Sequence, residues 1–509
     1  MPTLNWIGKE AVVNHDKEVP FRLLKKVKAH SVEDNSQNLI IKGDNLEGLK
    51  ALMPYYIGKV KCIYIDPPYN TGNENWVYND KVNSPKIKKW LEASLKGHSV
   101  DANDLCRHDK WLCMMYPRLK LLRDLLSDDG FIGIQCDDNE SAHLRLLCDE
   151  IFGEGNYRNS IYWKRTFAGK TISKNLPWNV DTILLYSKNQ NTNLNNITME
   201  LTEKDIASFN KDDNDGRGKY NTVSLQKTAT PTKGTKYNYI DNKGKVWKCP
   251  EKGWRMVFEK MKALENDNRL YITDKTIRQK YYLNERLEIG KQIDNLWMDI
   301  GNMNRSQGEN VGFIGQKPLK IMKRIIELTC KEKDAIILDS FAGSGSTGHA
   351  VLDLNKEDGG NRKFILIEME DDIAKKITAE RVKRVIEKYD YKDGFEYCEL
   401  DKPLFDENGQ IEETCDFNQF ATYIYFTETQ TNIDKKQIDK NFIGESGETE
   451  YYLIYKEKYK NVLDKKFLSK IKKTKNKKVI YADFCMVDED EMKKFNIQFK
   501  QIPYEVKVY

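Results

Sequence analysis

Short, nearly continuous apolar runs alternate with longer stretches of amphipathic spacing through the first part of the chain. Leu39–Ile41, Val60–Ile65, Gly130–Gln135, Ser160–Trp163 and Thr182–Tyr186 read as strands, while Trp111–Leu126 and Ala142–Ile151 carry the spacing of helices. This alternation predicts an α/β fold, a doubly wound and mostly parallel sheet. Two further strand-like runs, Ala335–Leu338 and Phe364–Ile367, come much later, so the sheet is completed across a long insertion. The insertion, about Asn191–Asp299, has weak apolar periodicity and much Lys, Asn, Thr and Tyr. From about Glu396 the runs Ala421–Phe426, Glu450–Tyr455 and Lys478–Phe484 read as strands of a small C-terminal α+β domain. The organisation expected is an arm over residues 1–37, one half of the sheet domain over 38–190, the insertion over 191–300, the second half over 301–395 and the appended domain over 396–509.

In an open sheet of this type ligands bind beyond the carboxyl ends of the strands. Asp44, Asp66, Asp339 and Glu368 each follow or end an apolar run and are expected to converge there. Asp66-Pro67-Pro68-Tyr69 closes the run Val60–Ile65. Two prolines fix φ and remove two backbone donors, so the turn presents carbonyl oxygens in a preset shape. The lone pair of a nucleobase amine is delocalised into the ring, and acceptors for its hydrogens make the nitrogen a usable nucleophile. The Asp66 carboxylate and Pro67 carbonyl are such acceptors, and Tyr69 offers a face on which a base can stack. The plainer reading is a strand-ending turn with a buried Tyr.

A second element, Asp339-Ser340-Phe341-Ala342-Gly343-Ser344-Gly345-Ser346-Thr347-Gly348, reads as strand, tight loop and helix. Gly343 and Gly345 let a ligand approach the backbone, and Glu368 can hold ribose hydroxyls, which together point to an adenosine-containing cofactor. Gly343, Gly345 and Gly348 also spell a dinucleotide-binding fingerprint, which makes a dehydrogenase a competitor. A dehydrogenase gives no role to Asp66–Tyr69, whereas methyl transfer to a base amine needs both elements.

With 509 residues, 39% hydrophobic and 32% charged, the chain is expected to be a soluble globular protein of several domains. No apolar run approaches the roughly 18 residues of a membrane span, so no membrane partner is expected. Met1–Trp6 lacks a basic-then-apolar signal, which places the chain in the cytoplasm. The 10 cysteines are scattered without a C-x-x-C pair, arguing against a zinc site or disulfide framework, and with 6 His no metal is expected in the chemistry. Net charge is only +5, so distribution says more than balance. Lys86–Lys89, Lys227–Lys248 and Lys470–Lys478 are locally basic and suit phosphate contacts or plain solvated faces.

Asp66–Tyr69 preceding Phe341–Gly345 resembles the β class of amino-methyltransferases, and more closely the modification subunits of type III restriction-modification systems. Leu4–His15, Ile40–Leu52, Ile65–Asn73, Gly312–Pro318 and Phe341–Gly348 carry the likeness. The resemblance implies a Rossmann-like methyltransferase sheet, a target-recognition domain in the insertion, and S-adenosylmethionine as cofactor. It implies that Asp44 contacts the cofactor adenine, that Lys317 lies near its methionine end beside Pro318, and that Asp339, Phe341, Ala342, Gly343, Gly345 and Glu368 form the rest of the cofactor site. Asp44 and Pro318 are equally explained as a helix N-cap and a helix start. Asp66, Pro67, Pro68 and Tyr69 are the catalytic set.

The activity so implied is methylation of adenine N6 in a specific sequence of double-stranded DNA, with the base flipped onto Tyr69. Asp at position 66 leans toward adenine, since relatives acting on cytosine N4 more often carry Ser there, and N4-cytosine stays open. The implied partners are a second copy of the chain and a separate ATP-dependent restriction endonuclease subunit. Gly169-Lys170-Thr171 ends like a phosphate loop, but Lys164 occupies the first glycine position, so no nucleotide motor is read here. A DNA-specificity module and an RNA methyltransferase are the other classes that fit.

Overall fold

The computed structural model describes residues 4–33, 36–71, 107–166, 176–230, 232–301, 316–405, 411–412, 415–433, 438–456, 460–471 and 473–502. Lys86–Lys89, Gly169–Thr171 and positions 312–315 lie outside the described residues. A ten-stranded sheet organises the chain. Its strands are β1 (Arg22–Lys26), β2 (Leu39–Lys42), β3 (Val60–Ile65), β4 (Leu126–Cys136), β5 (Tyr157–Lys164), β6 (Val180–Ser187), β7 (Leu296–Trp297), β8 (Ile336–Asp339), β9 (Lys363–Glu368) and β10 (Glu396–Pro403). In space the order is β1-β10-β2-β9-β8-β3-β4-β6-β5-β7. Neighbours from β10 through β4 run parallel, β6 is antiparallel to both β4 and β5, and β1 is antiparallel to β10.

The central strands are continuous apolar runs because helices cover both of their faces. On one face α1 (Asn45–Tyr56), α2 (Arg107–Leu125) and α3 (Ser141–Phe152) bring Leu49, Leu52, Trp111, Leu122 and Leu144 into a single core with Ile41, Ile63, Ile65, Ile132 and Ile134. The opposite pleat of β4 shows what covers the other face. A Cβ at Gly133 would meet Ile325 Cγ2 at 3.7 Å, and Ile325 belongs to α4 (Leu319–Thr329), which packs on α5 (Ser346–Asp358). The doubly wound, mostly parallel sheet expected from the apolar pattern is thus present.

The sheet reaches beyond the segments expected to build it. β1 comes from the N-terminal arm, and β10 pairs Glu396 with Leu39 and Glu399 with Lys42. Beyond β10, Phe442–Ser446, Thr449–Leu453, Lys477–Ala482 and Ile497–Gln501 form a four-stranded sheet. Ala421–Phe426, expected as a strand, lies within helix α6 (Phe417–Thr429). Asp416 and Gln419 form a reciprocal capping box, and the buried Phe420, Ala421, Ile424 and Tyr425 fall on one helical face. Their aromatic and β-branched character, which suggested a strand, yields to that spacing.

Residues Asn196–Asp294 form a separate compact unit. It holds a three-stranded antiparallel sheet of Tyr220–Ser224, Ile277–Tyr282 and Leu270–Ile272. Tyr239, Trp247, Trp254 and Met261 fill its core, with Trp254 Nε1 donating to the Tyr237 carbonyl at 2.8 Å. Several aromatics of the insertion therefore hold its small core. Among the described residues no helix is long and apolar enough to cross a membrane.

Candidate active site

The parallel pairing of β2, β9, β8 and β3 brings four acidic residues to one edge. Lys42 is level with Glu368, Asp339 with Leu366 and Leu338 with Ile63, so Asp44, Glu368, Asp339 and Asp66 sit at neighbouring carboxyl ends. Asp66, Lys317, Asp339, Phe341, Ala342 and Gly343 line a cleft, together with Tyr64, Met322, Ser344, Ser346 and Thr347. Asp44, Gly345 and Glu368 are not among its lining residues but brace the same loops. Asp44 caps α1, its Oδ1 accepting from Leu46 N at 2.9 Å, while Arg118 Nη2 lies 3.4 Å from its Oδ2. Asn45 Nδ2 donates to the Ser340 carbonyl at 3.1 Å and ties this cap to the glycine-rich loop.

That loop is held by hydrogen bonds to both its backbone and its side-chain hydroxyls. Asp339 Oδ1 accepts from Phe341 N at 3.0 Å and Oδ2 from Thr347 Oγ1 at 2.6 Å. Glu368 Oε2 accepts from Gly343 N at 2.8 Å, and Oε1 accepts from Glu370 N at 3.1 Å. Gly345 stands at φ 73 immediately before α5, where a Cβ would lie 3.2 Å from the Thr378 carbonyl oxygen. A left-handed turn packed this closely is glycine's to fill, and it aims the first backbone N–H groups of a helix toward the loop. Arg381 Nη1 donates to Ser344 Oγ at 2.9 Å and Ser346 Oγ at 2.7 Å. Burial pushes Asp339 up to about 7, with the donors Thr347 and Phe341 pulling it down and the charges of Asp66 and Glu368 pushing it up. Burial likewise raises Glu368.

On the other side of the cleft the turn Asp66–Tyr69 is fixed from several directions. Lys317 Nζ forms an ion pair with Asp66 Oδ2, and Asp66 Oδ1 is buried and accepts no hydrogen bond among the described residues. An unsatisfied buried carboxylate oxygen calls for a donor, which an amine supplies. Trp111 Nε1 donates to the Pro68 carbonyl at 2.7 Å. Tyr69 OH donates to Asp181 Oδ2 at 3.1 Å and accepts from Gln135 Nε2 at 2.8 Å, and Gln135 Nε2 also reaches Asp181 Oδ2 at 2.9 Å. Burial, then the charges of Asp66 and Asp181, hold the Tyr69 phenol well above its usual value. Asp181 is raised by burial against the pull of Arg165, whose Nη1 lies 3.3 Å away, and of Lys317.

Gln135, Trp111, Asp181 and Arg165 were not singled out in the sequence. A faint signal exists for two of them, since Gln135 is a polar residue closing the apolar stretch Phe131–Ile134 and Asp181 precedes Thr182–Tyr186. Below the turn, His108, Glu140 and His143 place one ligand atom each within 4.8 Å of one another, a donor set of the kind divalent metals take. The donors around the main cleft fit an adenosine-containing cofactor: carboxylates at strand ends, a glycine cradle and a helix N-terminus.

The DNA methylase family profile, which covers N6 and N4 enzymes, matches residues 60–380. The StyLTI Mod subunit of a type III restriction-modification enzyme from Salmonella typhimurium is 33% identical over 394 residues, 70% of this chain and 58% of that protein. The EcoP15I Mod subunit of Escherichia coli is 29% identical over 427 residues, covering 72% of this chain and 64% of its own length. The type II methyltransferase M.KpnI of Klebsiella pneumoniae is 30% identical over 363 residues, 67% of this chain and 83% of that protein. The chain thus spans only 58–64% of the length of the two Mod subunits.

Proposed function

The chain belongs to the N6/N4 DNA methylase family, and from that premise we propose that it methylates N6 of adenine in double-stranded DNA, using S-adenosylmethionine. The observation that carries the reading is Asp66 Oδ1, a buried acceptor beside the cleft that no donor among the described residues reaches while Lys317 occupies its sister oxygen. S-adenosylmethionine, when bound, supplies an electrophilic methyl group. Asp339, Phe341, Ala342, Gly343, Gly345, Glu368, Asp44 and Lys317 are the residues that hold it.

The chain's own part is to present the base. Tyr69 offers its ring for stacking, and its hydroxyl is clamped by Gln135 and Asp181, so the ring is fixed before a base arrives. Asp66 Oδ1 and the Pro67 carbonyl accept from the exocyclic amine, and Asp66 is where the amine proton is held as it becomes labile. Preset acceptors need no reorganisation on reaction, and that is where most of their effect on rate arises. The kinship with Mod subunits supports the role of modification and recognition subunit in a type III-like system. Residues 196–294 then read the target, a second copy completes a dimer, and an ATP-dependent restriction subunit is the partner. Acting on DNA, it would work in the cytoplasm.

The test is to incubate the protein with S-adenosylmethionine and unmethylated DNA, digest to nucleosides and identify the product by mass, alongside Asp66→Ala. N6-methyladenine from the parent protein, falling by on the order of 10²–10³-fold in the variant, is the expected result. N4-methylcytosine would overturn the base assignment, and absence of any methylated base despite cofactor binding would overturn the reaction.

A further inference from the structure

Immediately after the turn that faces the cleft, the chain enters a strained conformation held by a carboxylate with no part in the reaction above. Asn70 stands at φ 60, in the left-handed region, and is 1% exposed. Asn enters that region more readily than most residues, yet a single such residue keeps its shape only when its surroundings hold it. Its Nδ2 donates to Glu140 Oε1 and to the Arg107 carbonyl at 3.2 Å.

Glu140 itself is wholly buried, just before α3. Its Oε1 also faces His108 Nδ1 at 2.7 Å, and Oε2 lies 3.1 Å from His143 Nδ1. A carboxylate removed from water is costly unless neighbouring donors compensate; here Asn70 and His108 both serve Oε1, while Oε2 makes no hydrogen bond among the described residues. Arg107, His108 and Trp111 share the start of α2, so the hold on Asn70 and the hold on the Pro68 carbonyl come from one helix end.

We propose that Glu140 is a positioning residue that sets the geometry of Asp66–Tyr69 through Asn70. This rests on the reading of that turn as the base-binding element. The competing use of the same cluster is a divalent metal site, for which Glu140 Oε1, engaged by Asn70 and His108, leaves only Oε2. A chain's catalytic geometry is sensitive to small displacements: about 1 Å costs about 100-fold. The amide oxygen of a glutamine could still accept from Asn70, whereas an alanine could not.

The experiment compares the parent with E140A, E140Q, N70A and the E140A/N70A pair. Initial methylation rates are measured at saturating DNA and cofactor, cofactor affinity by calorimetry, and hydrogen exchange over residues 66–71. Expected are an about 100-fold fall in kcat for E140A and N70A, no further fall in the double variant, recovery to within about tenfold in E140Q, and cofactor affinity close to the parent's. Exchange over 66–71 should rise in E140A and N70A but not in E140Q.

Multiplying losses in the double variant, an unchanged kcat in E140A, or unchanged exchange would overturn the proposal. So would loss of parent activity on chelation that zinc restores, which would assign the cluster to a metal. A parent protein that methylates nothing would sink the proposed function alone, because the exchange arm still decides whether Glu140 anchors the turn. If E140A does not fold, E140Q and N70A carry the same comparison.

Discussion

Asp339 is the place where the fold and the site compete most openly, and Asp339→Asn measures the competition. The side chain is 4% exposed at the end of β8, and burial pushes it up to about 7 from the ordinary 3.8. Between those values the folded chain holds a proton that the unfolded chain has released, so the folded state loses stability as pH rises through the window. The loss is complete above about pH 7. Each pH unit separating the two values corresponds to about 1.36 kcal/mol, so the ionised carboxylate costs the fold on the order of 4 kcal/mol. Asparagine keeps both contacts: its oxygen accepts from Phe341 N, and its amide donates to Thr347 Oγ1 once that hydroxyl rotates. Urea unfolding of both proteins across a pH series is the assay. The variant's advantage should widen by about 2–3 kcal/mol between about pH 5 and about pH 8 and then stop growing. An advantage independent of pH, or a parent that gains on the variant as pH rises, would refute the assignment of a strained carboxylate here.

Two further perturbations separate roles within the site. Tyr69→Phe removes the hydroxyl held by Gln135 and Asp181 but keeps the ring, so methylation should fall less than about tenfold, whereas Tyr69→Ala loses stacking worth about 1–3 kcal/mol and should fall about 10–100-fold. Equal losses in steady-state assays would deny the ring its role. Gly345→Ala combines a left-handed backbone with a Cβ 3.2 Å from the Thr378 carbonyl oxygen, and should cost about 1–3 kcal/mol of stability and weaken cofactor binding in calorimetry. Gly359→Ala has a similar φ of 68 with nothing among the described residues within 4 Å, so it should cost only about 1 kcal/mol and leave cofactor binding alone.

What the sequence made legible, and what it hid, follows from strand direction. The apolar runs placed β2, β3, β8 and β9 to within one residue at each end, and missed the first four residues of β4, because strands buried on both faces leave no alternation to misread while Leu126–Asp129 is largely polar. Where those strands run parallel, the residue after each run reaches the carboxyl edge, and Asp66, Asp339 and Glu368 follow that rule, while Asp44 stands two residues beyond β2. β6 reverses direction: Cys136 at the end of β4 pairs with Thr182 near the start of β6. The residue that reaches the edge from β6 is therefore the one at its beginning, Asp181, and a rule that looks past strand ends overlooks it. Gln135 and Glu140 were hidden for a different reason. Each sits among residues whose local pattern explains them as strand or helix start, and their partners Tyr69 and Asn70 are 66 and 70 positions away. Pairings at that separation leave no periodic trace. It follows that the residues proposed to present the base were readable from local chemistry, while those that hold the turn still had to be found from the fold, and the latter bear on whether a correctly composed turn is also correctly shaped.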